Sequence, residues 1–281
     1  MPALSETSPL TIPVLIAAKG GEKIAMLTAY DAPSAALLDA AGVDVLLVGD
    51  SVEMAVYGEP NTLSATMDSM VRHSRAVSRS VKRALVVGDM PFLSYQTDTA
   101  RAVENAGRFL AEGGCAAVKL EGGTRSLPAI EAILSADIPV MGHVGLTQQS
   151  FHKLGGFKVQ GREPETALQI REDAKALAAA GCFAVVLECV PAPLAAEITR
   201  EIAVPTIGIG AGADCDGQVL VFHDVMGLTR DLRPRFVRRY ADLSTAIEEA
   251  AKAFTKDVKS GSFPSAGESF AGGKPALRRV L

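Results

Sequence analysis

Short runs of Val, Ile and Leu recur along the chain, separated by segments whose apolar residues fall at helical spacing. The runs predict strands at Ile24–Ala29, Val45–Gly49, Leu85–Asp89, Ala117–Glu121, Pro139–His143, Ala184–Glu188 and Thr206–Gly210, with an eighth within Val219–Asp224. Several, such as VLLVGD and AVVLECV, are almost continuously apolar, as strands buried on both faces of a parallel sheet must be. The intervening patterns predict helices at Ala32–Ala41, Met67–Val81, Thr99–Ala111, Pro128–Leu134, Glu165–Ala180, Pro193–Ile202 and Phe236–Lys256. Gly42, Gly113–Gly114 and Gly181 supply helix stops, and prolines open the fourth and sixth helices.

This β-then-α alternation predicts one (β/α)8 barrel, a TIM barrel, as a single α/β domain over residues 1–281 with an irregular tail from Ser260, its last residues mobile. A doubly wound open sheet is the rival, but seven or eight strands in one domain favour closure. Residues Ala211–Asp216 are too few for a full helix, so a truncated repeat is expected between strands seven and eight. Two connections, Ser51–Thr66 and Gly145–Glu163, are long, and loops leaving strand C-termini overhang a barrel's active site.

A chain of 281 residues with 48% apolar and 21% charged positions can bury a large core, which excludes a disordered or fibrous protein. The net charge of −4, no Lys/Arg-rich block and no tryptophan argue against a nucleic-acid or anionic-membrane surface. Cys115, Cys182, Cys189 and Cys215 form no C-x-x-C pair and are expected as reduced, buried thiols. The N-terminal MPALSETSPL lacks the pattern of a secretory signal, and no apolar run reaches the roughly 18 residues needed to span a bilayer. A soluble, cytoplasmic protein is expected.

Barrel chemistry sits at strand C-termini. Those ends carry Asp50 and Ser51 after strand two, Asp89 after three, Lys119 and Glu121 in four, His143 in five and Glu188 in six. A lone Asp after a strand is usually a helix cap. Here, however, no helix pattern starts directly after Asp50 or Asp89, and Glu121 precedes Gly122–Gly123. Three carboxylates in a half-buried pocket repel one another, and a divalent cation relieves that repulsion. Oxygen-only donors favour Mg2+, with Mn2+ as substitute; Zn2+ is disfavoured because His143 is the only strand-end histidine. Lys119 and Glu121, two apart in a strand, share the lumenal face. Lys119 can serve as a Schiff-base nucleophile, an anion clamp or an ion-pair partner, and His143 as a substrate-facing donor or a satisfied barrel histidine. Glu188, two strands beyond Glu121, suits a base acting on substrate better than a fourth metal ligand. The Gly208–Gly212 turn, GIGAG, lacks the G-x-G-x-x-G pattern and a long following helix, and is weak as a phosphate site.

The strings MLTAYD (26–31), LLVGDS (46–51), VKLEGG (118–123), GGFKVQGR (155–162), LECVP (187–191) and IGIGAG…DGQVLV (207–221) closely resemble the ketopantoate hydroxymethyltransferase family, over about Thr11 to Phe270. The resemblance implies a barrel assembled as a homodecamer that binds Mg2+ and uses 5,10-methylenetetrahydrofolate as one-carbon donor to 3-methyl-2-oxobutanoate. It implies that Asp50, Asp89 and Glu121 hold the metal. Asp50, Ser51, Asp89 and Lys119 would contact the keto acid, and Glu188 would be the general base. Two segments depart from the family pattern. Gln148 follows Thr147 where the family usually has Pro, and the common Glu-His-Ser-Phe reads Gly267-Glu268-Ser269-Phe270. The rival functions are a metal-dependent barrel lyase acting on an oxaloacetate-like or phosphonopyruvate-like acid, and a non-catalytic barrel that has lost a ligand or the base.

Overall fold

In a computed structural model describing residues 8–230 and 234–270, together with Leu4 and Gly272, eight parallel strands close into a barrel in sequence order. They are β1 Ile24–Thr28, β2 Val45–Val48, β3 Leu85–Asp89, β4 Ala117–Glu121, β5 Val140–Gly145, β6 Ala184–Glu188, β7 Thr206–Ile209 and β8 Gly217–Leu220. The helices are α1 Ile12–Ala17, α2 Ala32–Ala40, α3 Val52–Ala55, α4 Met67–Ser78, α5 Thr99–Ala111, α6 Leu127–Ser135, α7 Phe151–Leu154, α8 Pro164–Ala180, α9 Ala192–Glu201, α10 Phe222–Val225 and α11 Leu243–Ser260. The open-sheet rival is thereby excluded.

Strand alternation divides the apolar residues into two cores. Leu46, Val86, Val118, Leu120 and Val185 point outward and pack against the helix ring with Phe109, Ile133 and Leu177. Met26, Val45, Leu47, Val87, Met141, Val186 and Ile207 fill the lumen. The lumen is a packed interior rather than a channel, so its remaining polar positions at the strand C-termini are conspicuous. Leu10, Leu15 and Ala18, on and around α1, join the lumenal core. This six-residue helix, opened by Pro13, is absent from the sequence reading because it is too short for a period to register.

Three further elements differ from expectation. The eighth strand begins at Gly217, ahead of the predicted Val219–Asp224, and Phe222–Val225 is helical. A side chain at Gly217 would place its Cβ 2.6 Å from the Ile24 carbonyl oxygen, so the residue that reads as a turn is a close strand contact. The terminal helix starts at Leu243 instead of Phe236, because Asp242 caps it by accepting from the Thr245 N–H, and Gly261 ends it. A helix does follow Asp50 almost at once: α3 starts at Val52.

The truncated repeat is present, with no helix between β7 and β8. Asp216 secures that seam. It accepts from Lys19 Nζ at 2.8 Å, Gly20 N–H at 2.9 Å and Thr206 N–H at 2.8 Å, tying the β7–β8 connection to the segment before β1. The GIGAG turn therefore offers no following helix N-terminus to an anion. All four cysteines are free and buried, and burial pushes the Cys115 thiol up to about 11 and those of Cys182 and Cys189 to about 12. No helix among the described residues is long and apolar enough to cross a membrane. The end of the irregular tail, residues 273–281, lies outside the described residues, and Ser262–Phe270 contains only a short 3-10 turn.

Candidate active site

Strand register sets the site. Asp89 at the end of β3 pairs with Lys119 in β4, and Glu121 pairs with His143 in β5. Because Lys119 and Glu121 are two residues apart, both enter the lumen, where Asp89, His143 and Glu188 arrive from neighbouring strands. Asp50 joins them from the turn after β2. Asp50, Asp89, Lys119, Glu121, His143 and Glu188 are all buried. The structure thus brings the sequence-predicted residues to one end of the barrel; Ser51 borders them, sharing a 2.8 Å hydrogen bond with the Tyr30 hydroxyl.

Lys119 Nζ donates to Asp89 Oδ1 at 2.6 Å and lies 3.9 Å from Glu121 Oε1. Burial works against its charge, but Asp89, Glu121 and Asp50 together outweigh it and raise the lysine's pKa. A lysine held protonated has no lone pair to offer a carbonyl, so of the three roles open in the sequence the Schiff-base nucleophile is disfavoured.

His143 lies between two carboxylates. Its Nδ1 is 3.4 Å from Glu121 Oε1 and its Nε2 3.2 Å from Glu188 Oε2. Neither contact has hydrogen-bond alignment, and among the described residues both buried ring nitrogens lack a hydrogen-bond partner. The attraction is therefore of charge at short range. Burial and Lys119 oppose protonation, yet the flanking carboxylates prevail and raise the imidazole to about 9. This is not a satisfied core histidine. Nor is Glu188 in the apolar setting its neighbours Leu187 and Cys189 imply, since it faces His143 and accepts from Gln148 Nε2 at 2.6 Å.

Two residues that the sequence did not single out organise the rim. The Gln149 side chain donates to Asp50 Oδ2 at 3.1 Å and to the Met90 carbonyl at 2.9 Å. Its own carbonyl oxygen accepts from Tyr95 Oη at 2.9 Å and from Gln96 Nε2 at 3.0 Å. Tyr95 Oη also accepts from the Glu121 N–H at 3.1 Å. The Gln148 and Gln149 N–H groups donate to the Glu121 carboxylate at 3.2 and 2.9 Å. The only signal for Gln149 in the sequence was its place in the long fifth loop.

The electrostatics identify what this donor set lacks. Burial, Asp89 and Glu121 push the Asp50 carboxyl well above the usual range. Burial also raises Asp89 despite its lysine. Burial disfavours the Glu121 charge too, but His143, Lys119 and the loop N–H groups lower its pKa overall. Among the described residues, the Asp50 carboxylate receives one hydrogen bond, from Gln149. A buried carboxylate with this little compensation, beside Asp89 and Glu121, matches the chemistry of a hard divalent cation. Among the described residues no three His, Cys, Asp or Glu side chains already converge on one point. Glu121 in particular is turned to its backbone donors.

A closed barrel with buried carboxylates, one lysine and one histidine at its C-terminal rim has the architecture of a TIM-barrel enzyme. A profile of the ketopantoate hydroxymethyltransferase family matches residues 9–266. The chain is 56% identical over 250 residues to the 3-methyl-2-oxobutanoate hydroxymethyltransferase of Geotalea daltonii, covering 89% of this chain and 94% of that one. It is 54% identical over 262 residues to the enzyme of the same name from Syntrophomonas wolfei, covering 93% and 95%. The chain belongs to the ketopantoate hydroxymethyltransferase family and is a transferase of pantothenate biosynthesis. Among solved structures it resembles a phosphonopyruvate hydrolase (TM-score 0.61, 15% identity, 92% of this chain and 93% of that one). It also resembles a 2,3-dimethylmalate lyase (TM-score 0.58, 17% identity, 90% and 89%). At such identities these two likenesses speak to fold alone, and the lyase reading is not favoured.

Proposed function

We propose that this enzyme transfers a hydroxymethyl group from 5,10-methylenetetrahydrofolate to 3-methyl-2-oxobutanoate, giving 2-dehydropantoate and tetrahydrofolate with one water consumed. The observation that carries the reading is the buried cluster itself. Asp50, Asp89, Lys119, Glu121, His143 and Glu188 converge from five consecutive strands on the rim of an otherwise apolar lumen.

Asp50, Asp89 and Glu121 would hold Mg2+, with Mn2+ as substitute, and the cation would supply Lewis-acid stabilisation of negative charge developing on the keto oxygen. Lys119 is placed to attract the substrate carboxylate while keeping its bond to Asp89, and Ser51 offers a hydroxyl beside it. Glu188, on β6, takes the proton from C3. Water adds to the one-carbon unit and both of its C–N bonds to the folate break, giving tetrahydrofolate and formaldehyde. The carbon left with the electron pair attacks the formaldehyde carbon, and the new alkoxide takes up the proton held by Glu188. His143 presents positive charge beside the base from the adjacent strand. Burial of the whole set strengthens each of these interactions relative to water.

We further expect a homo-oligomer, with the decamer as the specific form. The face of α11 that carries Ile247, Phe254 and Val258 is exposed and no residue of that helix is buried, so among the described residues it leaves an apolar face open, with Phe263 against Phe254 its one aromatic contact. Sedimentation of the purified protein tests this; a monomer at micromolar concentration would refute it. A cytoplasmic location agrees with the four unpaired buried thiols.

The decisive experiment for the chemistry is C3 hydrogen exchange in deuterated water, followed by NMR with keto acid and Mg2+ but no folate. Glu188→Gln keeps the size but cannot accept the proton, so exchange should fall by roughly 10²-fold or more, with keto-acid binding retained. Exchange near the wild-type rate would remove Glu188 as the base.

A further inference from the structure

We propose that Gln148 is a positioning residue for the general base, holding the Glu188 carboxylate in its working orientation; this rests on the reading of Glu188 above. The fifth loop leaves β5 pressed against the end of β6. Gly145 has φ +95°, and a side chain there would place its Cβ 2.3 Å from the Glu188 carbonyl oxygen. The Leu146 N–H donates to that same oxygen at 2.9 Å. Thr147 is extended, and Gln148 opens a single 3-10 turn. That path delivers Gln148 above two carboxylates on strands either side of β5. Its N–H reaches Glu121 Oε1 at 3.2 Å, and its side-chain amide reaches Glu188 Oε1 at 2.6 Å.

The second bond matters because the Glu188 carboxylate has no other hydrogen bond among the described residues: its second oxygen faces His143 Nε2 at 3.2 Å without hydrogen-bond alignment. Charge alone does not fix the rotation of a carboxylate, whereas a short, charge-assisted hydrogen bond does. Gln148 sits where the family pattern usually has proline, which has neither an N–H nor a side-chain amide. Contacts of this kind to Glu121 and Glu188 are therefore specific to chains that carry a donor at this position. The glutamine is only half-buried, at the mouth of the site.

Two variants test the proposal. Gln148→Met keeps the length and removes the amide. Gln148→Pro suits an extended Thr147 and the first position of a helical turn, so the loop is expected to fold with either. Gln148→Met should lower kcat, and the rate of C3 exchange, by about tenfold, the loss of one charge-assisted hydrogen bond to a group that acts in the transition state. Gln148→Pro, which also loses the N–H bond to Glu121 Oε1, should lower them by at least as much. KM for the keto acid and the melting temperature should stay at wild-type values. In a Glu188→Gln background Gln148→Met should cost nothing further, because its effect passes through that carboxylate. Wild-type exchange by Gln148→Met, a matching rise in KM, or a full additional loss in the Glu188→Gln background would each overturn the positioning role. Wild-type exchange by Glu188→Gln alone would instead overturn the assignment of the base, so the two failures are distinguishable.

Discussion

Asp89 and Lys119 are partners across the β3–β4 ladder, and the lysine donates to the aspartate at 2.6 Å within a site closed to solvent. This pairing decides between two chemistries for a lysine in a keto-acid site. With Asp89, Glu121 and Asp50 all favouring its charge, Lys119 attracts carboxylates and does not attack carbonyls. Borohydride reduction in the presence of 3-methyl-2-oxobutanoate is therefore expected to leave the mass of Lys119 unchanged. Lys119→Met should lower kcat/KM by roughly 10- to 100-fold through lost charge-assisted binding. A reduced adduct on Lys119 would reverse this conclusion.

The weakly compensated charge on Asp50, and a burial that outweighs Lys119 at Asp89, lead to a second expectation. Chelation should abolish turnover, and added Mg2+ or Mn2+ should restore it. Asp89→Asn should weaken the metal's apparent affinity in calorimetric titration by at least about tenfold, as loss of one hard ligand does. Full activity after exhaustive chelation would refute the metal assignment.

Much of this site is legible from strand parity alone. Lys119 and Glu121 read as one face of one strand, and Asp89, His143 and Glu188 read as strand ends, because an apolar run that closes on a charge is informative. Gln149 and Tyr95 are not legible in that way. They are uncharged loop residues whose roles come from partners far along the chain, 99 residues in the case of Gln149 and Asp50. The setting of Glu188 is not legible either, and for the same reason: its flanking residues are apolar and its charged neighbour arrives from β5. In the fold, Gly217 and α1 were missed because a glycine inside a strand and a one-and-a-half-turn helix are both defined by what they pack against.

That helix yields a stability prediction. Leu15 is 2% exposed and closes the lumenal core away from the active site. Leu15→Ala leaves a cavity there and should cost about 2–4 kcal/mol in denaturant unfolding. Because the residue lies at the opposite end of the barrel, kcat of the folded variant should be unchanged. A normal midpoint would show that α1 does not contribute to the core.

The seam at the truncated repeat gives the last prediction, with a pH dependence whose sign is fixed. Asp216 is 5% exposed and replaces with side-chain bonds the helix that a full repeat would supply between β7 and β8. Burial works against its charge, but Lys19 and the N–H groups of Thr206 and Gly20 more than compensate, so its pKa in the fold lies below the usual carboxylate value. A depressed carboxylate stabilises the fold at every pH above its unfolded value, near about 4, and loses that contribution as pH falls through its folded value. Asp216→Asn keeps the shape but removes the charge facing Lys19 Nζ at 2.8 Å. It should therefore cost about 2 kcal/mol or more at pH 7. Chemical denaturation of both proteins between pH 7 and pH 3 checks this. The gap should be constant down to about pH 5 and narrow below about pH 4, as the wild-type aspartate takes up its proton. A gap that does not change with pH would mean that Asp216 acts through shape and neutral hydrogen bonds, and that its ion pair with Lys19 contributes nothing to closing the barrel.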